Sequence, residues 1–244
     1  MSIRLKFFLS HLSISILIAL IVVGAVFFAW YPVPLSTAVG VTQIFLMMLA
    51  IDVIIGPLLG CLVYKEGKKT LKCDLSVIIF IQIAALCYGV FSIEQGRPIW
   101  VVFNVDRFEL VRKNDIILEK IDQAQSQFQH IPWLKPQYAA TEFAKNIEQR
   151  NDEMFAEVFS GISIAQRPER YAELSQAKNQ IQKRALPLKE LEQYNLKTGV
   201  ERTLAKYPDA NAWLPLKANA VDMVVLINKE KVEVIKIVDL RPWN

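Results

Sequence analysis

The residue whose position is most unusual for chemistry is Asp52, which lies in the apolar stretch LMMLAIDVIIGPLLGCLV between Leu46 and Val63. In a membrane, an ionised carboxylate at this place would cost on the order of 3 kcal/mol. No lysine or arginine occurs in the three long apolar stretches of the chain. We therefore expect Asp52 to be either protonated or hydrogen-bonded to a polar neighbour.

Two groups could satisfy Asp52. Gln82 lies in the third apolar stretch at a depth within roughly 6 Å of that of Asp52, as judged from the rise per helical residue. Pro57 lacks an N–H group, so the carbonyl oxygen of Val53 is left as a free acceptor one turn away. A proton pathway is disfavoured, because such a pathway needs further acids or histidines in the other stretches, and none are present.

The remaining residues give little support to catalysis. The two histidines, His11 and His130, are far apart in the sequence, and the three cysteines all lie before residue 94 without metal-ligand spacing. No glycine-rich phosphate loop is present. We predict no cofactor, no metal ion and no enzymatic activity. Paired acids of the glycosidase kind stay an alternative, because their separation is a spatial property.

Hydrophobic residues make up 53% of the 244-residue chain, and they are concentrated before residue 94. We predict a membrane domain over residues 1–93, with three helices at about 12–30, 39–63 and 75–93. The remaining residues, 94–244, contain 22 basic and 21 acidic side chains. This balance argues against nucleic acid as a partner, since nucleic acid requires a concentrated basic face.

The positive charges predict the orientation. Arg4 and Lys6 lie before the first stretch, and four lysines lie in the loop YKEGKKTLKCD between the second and third stretches. The loop YPVPLSTA between the first and second stretches has none. The positive-inside rule then predicts a cytoplasmic N-terminus and a periplasmic domain over 94–244.

The predicted periplasmic domain has strand patterns at both of its ends. Ile99–Val105 and Arg107–Val111 are rich in β-branched and aromatic residues, and Asp222–Asn228 and Val232–Asp239 flank the turn NKEK. Between them we predict helices at about 116–128, 141–159, 168–184, 188–194 and 199–206. This order predicts an α+β domain with a small antiparallel sheet.

Asp106, Arg107 and Glu109 directly follow the first predicted strand of this domain. These charged residues have two interpretations. They form a recognition edge for a partner, or Asp106 and Arg107 form an ion pair that closes the strand end.

Several phrases of the sequence together resemble the type IV pilin accessory protein family, the TfpX/TfpZ group. They are DVIIGPLLG, YKEGKKTLKCDLSVI, IQIAALCYGV, GRPIWVVFNVDRFELV, RPERYAEL and IVDLRPW. The resemblance implies a protein of the inner membrane of a Gram-negative bacterium that assists a cognate type IV pilin before or during assembly. The implied partners are the major pilin subunit, the lipid bilayer and possible other pilus assembly proteins. An envelope enzyme that modifies pilin or a glycan is the alternative.

The family has no assigned site, so the candidate residues rest on their positions in this sequence. The candidates for pilin binding are Asp52, Pro57, Gln82, Arg97, Asp106, Arg107 and Phe108. We hypothesise that the first three form a groove for the apolar helix of the pilin, because polar groups in lipid join helices. In the competing interpretation, Asp52 has a structural role only and satisfies its carboxyl group within the protein.

Overall fold

A computed structural model describes residues 2–142, 144 and 146–244. The chain folds into two compact units. The helical unit contains three long helices with the short connection between the last two. The sheet unit contains Tyr31–Val39 and Arg97–Asn244. The loop between the first two long helices therefore belongs to the sheet unit.

The helices of the first half of the chain are α1 (Ile3–Ala25), α2 (Leu35–Val39), α3 (Val41–Val63) and α4 (Leu71–Gln95), and a π-helical turn, Val26–Trp30, continues α1. Helices α1, α3 and α4 are long and apolar enough to cross a membrane. Most of their side chains are exposed within the protein, as lipid-facing side chains are. The three predicted apolar stretches are confirmed as helices, and their length and composition indicate a multi-pass membrane protein.

The ends of these helices differ from the predicted spans. Helix α1 begins earlier because Arg4 and Lys6 continue the helix beyond the apolar run, and Lys72 and Asp74 do the same for α4. Helix α3 starts after Gly40, whose φ of +78° separates it from α2. Helix α3 stays helical through Pro57.

Close approaches at glycines pack the helical unit together. At Gly56 in α3 an added Cβ would lie 2.0 Å from Oε1 of Gln82, and at Gly60 it would lie 2.9 Å from a ring carbon of Phe7. Small residues of this kind let transmembrane helices pack closely in lipid. Helix α3 is therefore packed against both α1 and α4.

The sheet unit contains one eight-stranded sheet in the order β4-β3-β1-β2-β6-β7-β8, with β5 paired to β6. The strands are β1 (Pro98–Asn104), β2 (Arg107–Arg112), β3 (Gln137–Thr141), β4 (Tyr171–Ala172), β5 (Leu186–Pro187), β6 (Ala212–Lys217), β7 (Met223–Asn228) and β8 (Glu233–Val238). Strands β1 and β3 are parallel, as are β2 and β6, and the other pairs are antiparallel.

The predicted fold class, apolar helices followed by an α+β domain, is confirmed, and so are the strands at the two ends of the domain. The predicted small antiparallel sheet is wrong in size and pairing, since the sheet is larger and mixed. Strands β3 and β6 were not predicted. Pro215 stands inside β6, where proline usually argues against a central strand, and β3 is short with two alanines.

The predicted helix at 116–128 is wrong. This segment is irregular and contains two short 3₁₀ turns, Ile121–Gln123 and Ser126–Phe128. Ala124 and Phe128 pack into a core cluster of the sheet unit. The predicted helix at 141–159 begins later, as α5 (Ile147–Ser160), because Thr141 is the last residue of β3. Its predicted end is confirmed: Gly161 follows with a φ of +66°.

Three further predictions were partly correct. The region 168–184 contains a 3₁₀ turn at Pro168–Arg170, then β4 and a second 3₁₀ turn, and only its end is the α-helix α6 (Lys178–Arg184). The region 188–194 is a 3₁₀ helix, Leu188–Gln193. The region 199–206 is helical up to Leu204, in α7 (Lys197–Leu204), and its last two residues form a turn.

The loop between α1 and α3 completes the core of the sheet unit. Leu35 and Ala38 are buried in the same cluster as Phe108 and Met223. The carbonyl oxygen of Ala38 accepts hydrogen bonds from the N–H groups of Ala220 and Val221, with N···O distances of 2.9 and 3.2 Å. The sheet unit is therefore built from two separate segments of the chain.

Candidate functional site

Gln82 in α4 forms a polar node that joins the three long helices. Its Nε2 donates to Oγ of Ser15 in α1 over 3.1 Å and to the main-chain carbonyl oxygen of Asp52 in α3 over 3.0 Å. Its Oε1 lies 3.0 Å from Nε2 of His11 in α1. Because an amide oxygen can only accept, His11 donates to Gln82 through Nε2. The node satisfies polar groups that lipid could not satisfy.

The sequence placed Gln82 near Asp52, and the structure brings the two together. The hydrogen bond that forms between them uses the main-chain carbonyl of Asp52 rather than its carboxyl group. Pro57 is buried in α3 next to Gly56, whose surface contacts the Gln82 amide. These three candidates therefore lie around one node.

His11 and Ser15 belong to the same node and were not among the predicted site residues. Their signal in the sequence is an i, i+4 pair of polar residues, which one face of a helix presents together. Helix α1 begins at Ile3, so both residues lie inside the helix. The predicted apolar span, residues 12–30, starts after His11 and therefore does not show that His11 and Ser15 share one helix face.

An apolar groove with a volume of about 500 Å³ runs between α3 and α4. Its lining includes Ile44, Met48, Ile51, Asp52, Tyr88 and Gly89. Gly89 lets Met48 approach closely, since a Cβ at this position would lie 2.1 Å from the sulfur of Met48. Asp52 is the one residue of this lining that carries an ionisable carboxyl group.

Asp52 also lines a smaller cavity of about 200 Å³ between the three helices, together with His11, Ser15 and Gln82. The residue therefore lies between the polar node on one side and the apolar groove on the other. Chemically, this arrangement can offer one hydrogen-bonding group to an apolar molecule that occupies the groove.

The four candidates of the sheet unit have different environments. Phe108 is 0% exposed and packs in the core, and Arg97 is 1% exposed. A side chain with no exposed surface cannot contact a partner directly. Asp106 is exposed and Arg107 is half-buried, so only these two present a surface.

Asp106 lies in the two-residue turn that joins β1 to β2. The other turn residue, Val105, has a φ of +58°, which is unusual for a β-branched side chain and is normally left to glycine. The side-chain amide of Gln180 donates to the carbonyl oxygen of Val105 over 2.6 Å. This contact holds the turn in its unusual conformation.

Arg107 lies among three carboxylates. Its nitrogens are 3.6 Å from Glu109, 3.9 Å from Asp106 and 4.0 Å from Glu157 in α5. Glu109 is buried and also accepts a hydrogen bond of 3.0 Å from Nδ2 of Asn104. Arg107 is thus the cation that compensates a buried carboxylate. The distance from Arg107 to Glu109 is shorter than the distance from Arg107 to Asp106.

The part of the chain that the structure describes contains no cluster of three or more His, Cys, Asp or Glu side chains able to hold a metal ion. The expectation that the protein uses no metal and no cofactor stays a prediction.

The architecture is that of a multi-pass membrane protein with a separate sheet unit, and the comparisons with known proteins define the family. A family model described as "Fimbrial assembly protein FimB" matches residues 1–40. The fimbrial assembly protein of serogroup I from Dichelobacter nodosus is 32% identical over 229 residues, which cover 90% of this chain and 88% of that relative. The serogroup E1 protein is 33% identical over the same shares.

A third relative, the fimbrial assembly protein of serogroups C1 and C2, is 38% identical over 116 residues, which cover 47% of this chain and 88% of that protein. No solved structure matches the chain significantly. The chain belongs to the fimbrial assembly protein family. The predicted membership of a family of type IV pilus assembly accessories is confirmed.

Proposed function

We propose that this chain is an inner-membrane accessory protein that binds a cognate type IV pilin subunit and stabilises it before or during assembly. Its contribution is binding rather than catalysis. The observation that carries the proposal is the apolar groove between α3 and α4, with Asp52 in its wall. The family relation supports the biological role, since the relatives are named as fimbrial assembly proteins.

The groove suits a single apolar helix of a subunit that waits in the membrane. Its lining is almost entirely apolar, so it offers packing contacts to such a helix. The Asp52 carboxyl group adds one directional hydrogen bond, which is favourable in lipid because few other partners are available there. Gln82 and Pro57 do not line the groove themselves. They position the part of α3 that carries Asp52.

A cross-linking experiment tests the groove. A photo-cross-linking amino acid replaces Ile51, which is 55% exposed and lines the groove, in cells that produce the pilin subunit. The matched control is Ile21, which is exposed on α1 and does not line it. We expect an adduct with the subunit from position 51 and little from position 21. Equal yields from the two positions would show that the groove is not the binding site.

The Asp52→Leu variant tests the carboxyl group. We expect it to lower the adduct yield from position 51 by about tenfold, the equivalent of about 1.4 kcal/mol for one hydrogen bond in lipid. The abundance of the subunit should fall while its mass stays constant. A changed mass on a subunit of normal abundance would instead favour an enzyme that modifies it.

The orientation belongs to the same proposal, with the N-terminus in the cytoplasm and Arg97–Asn244 in the periplasm. The lysine-rich connection between α3 and α4 supports it. A reporter enzyme that is active only in the periplasm, fused after Asn244, should be active. The same reporter inserted after Lys69 should be inactive. The reverse pattern contradicts the orientation.

A further inference from the structure

Helix α5 carries an exposed apolar face. Ile147, Met154, Phe155, Val158 and Phe159 are all exposed, and the exposed fraction reaches 77% at Ile147 and 79% at Phe159. Their spacing of i, i+7, i+8, i+11 and i+12 places them on one face of the helix. A contiguous exposed apolar face of this kind usually marks an interaction site.

The end of this face near Gly161 is aromatic. The rings of Phe155 and Phe159 are stacked, with centroids 5.9 Å apart and an angle of 18° between their planes. Two nearly parallel, stacked rings on successive turns form an apolar aromatic pair, which we call the platform. Such a platform suits the packing of another apolar side chain.

The other end of the same face is acidic. Glu148 and Asp152 are exposed, and their spacing places them in one row with Phe155 and Phe159, at i, i+4, i+7 and i+11. From the rise per residue, Asp152 precedes the two phenylalanines by about 4.5 and 10.5 Å along the axis. The row therefore combines two carboxylates with two aromatic rings.

This charge pattern distinguishes a protein partner from a membrane surface. Helices that lie on anionic membranes carry basic residues beside their apolar face. In α5 the charged residues in the row of Phe155 and Phe159 are the carboxylates Glu148 and Asp152, which anionic headgroups would repel, and the exposed Arg150 lies outside this row. A surface that combines apolar and basic side chains is complementary to α5 in both respects.

We propose that α5 docks an apolar segment of the fimbrial subunit that carries a lysine or arginine about 5–10 Å from its apolar side chains. The inference rests on the proposed function, because it assumes that the subunit is the client. The apolar side chains pack on Phe155 and Phe159, and the cation reaches Glu148 or Asp152. Arg107 has a positioning role, since its contact with Glu157 holds α5 beside the β1–β2 turn.

The test uses the full chain in cells that produce the subunit. A photo-cross-linking amino acid replaces Phe159, and the matched control is Leu196, an equally exposed apolar residue outside α5. We expect at least about fivefold more subunit adduct from position 159, since binding energy is concentrated in a few contacts.

Charge reversal provides the second arm. Asp152→Lys should lower the adduct yield from position 159 at least about threefold, because it places a cation against the basic group of the partner. The control Glu192→Lys reverses an exposed charge outside α5 and should leave the yield unchanged. Both side chains are exposed, so neither variant should alter thermal unfolding, and this is measured in parallel.

The outcomes separate this inference from the proposed function. Adducts from position 51 without adducts from position 159 overturn the role of α5 and leave the groove in place. Adducts from neither position overturn both. Lipid adducts from position 159, or stronger binding of the Asp152→Lys variant to vesicles of anionic phospholipid, overturn the inference in favour of a membrane contact.

Discussion

The side-chain amide of Gln82 donates a hydrogen bond of 3.0 Å to the main-chain carbonyl oxygen of Asp52. The bond joins α3 to α4 at the level where the apolar groove has its one carboxyl group. The Gln82 amide bonds to the main-chain carbonyl of Asp52 and not to its side chain. Asp52 lines both the groove and the smaller cavity between the three helices. Gln82 thus joins α3 to α4, and Asp52 in the same place lines the groove.

Replacing Gln82 by leucine should destabilise the helical unit. The variant loses the hydrogen bonds to Ser15 and Asp52 and leaves the His11 imidazole without its acceptor. We expect the free energy of unfolding in detergent micelles to fall by about 1–2 kcal/mol. Ser92→Ala is the control, because the Ser92 hydroxyl donates to the Tyr88 carbonyl of its own helix and its loss removes no contact between helices among the described residues. Equal stability of the two variants would contradict the role of the node.

The variants Gly56→Ala and Gly24→Ala should change the stability of the helical unit in opposite directions. At Gly56 the new methyl group would lie 2.0 Å from the Gln82 amide, so the node must move, at a cost of about 1–3 kcal/mol. At Gly24 an added Cβ would meet no side chain of the described residues within 4 Å, and alanine should favour the helix by about 0.5–1 kcal/mol. Thermal unfolding in the same detergent measures both. A neutral Gly56→Ala variant would mean that α3 and α4 are not closely packed there.

The variant Leu35→Ala should weaken the sheet unit, although Leu35 lies between two membrane helices in the sequence. Its side chain is buried in the sheet core, so truncation should cost about 2–5 kcal/mol. Val33→Ala, at a position that is 72% exposed in the same loop, should cost little. Hydrogen exchange of the β6 and β7 amides reports the change. Unchanged protection in Leu35→Ala would refute the contribution of the loop.

Tyr171 should make stability depend on pH in the alkaline range. Burial, followed by the charges of Glu169 and Glu109, raises the pKa of its hydroxyl well above the usual 10.0. The folded state therefore keeps a proton that the unfolded chain releases above pH 10. This contribution to stability is complete below pH 10 and is lost as the pH rises towards the folded-state pKa.

The variant Tyr171→Phe tests this dependence. At pH 8 it should be less stable by about 0.5–1.5 kcal/mol, because its hydrogen bond to the Ala165 carbonyl is lost. Above pH 10 the difference from the wild type should shrink, since the variant has no proton to release at this position. Fluorescence of Trp100, whose ring lies 5.4 Å from that of Tyr171, follows unfolding at both pH values. A difference that is independent of pH would contradict the prediction.

The elements with a strong hydrophobic pattern could be predicted from the sequence. The three apolar helices and the strands β1, β2, β7 and β8 consist of long apolar or β-branched runs, which have few alternatives. Strand β6 has no such signal, because Pro215 interrupts it and its parallel partner β2 is distant in sequence. The segment 116–128 has helical spacing, but its apolar residues are used by the core without a helix.

The candidate site could be predicted only in part. Counting helical rise placed Gln82 near the depth of Asp52, and the structure brings the two into contact. Depth does not determine the rotation of a helix about its axis, so His11 and Ser15 were not expected in the node. Phe108 is covered by its parallel neighbour β6, where it pairs with Leu216, and this strand was not visible in the sequence. Arg97 donates to the main-chain carbonyl of Leu134 over 3.4 Å, a contact between distant residues that spacing alone does not predict.

The hydrogen bonds from Ala220 and Val221 to Ala38 have a consequence for the order of events during synthesis. The loop with Ala38 leaves the ribosome early, whereas Ala220 and Val221, which bond to it from the turn between β6 and β7, are made about 180 residues later. Contacts so distant in sequence form slowly and late. The first two helices can therefore enter the bilayer long before the sheet unit is complete. The sheet unit can fold fully only after its last strands have been translated.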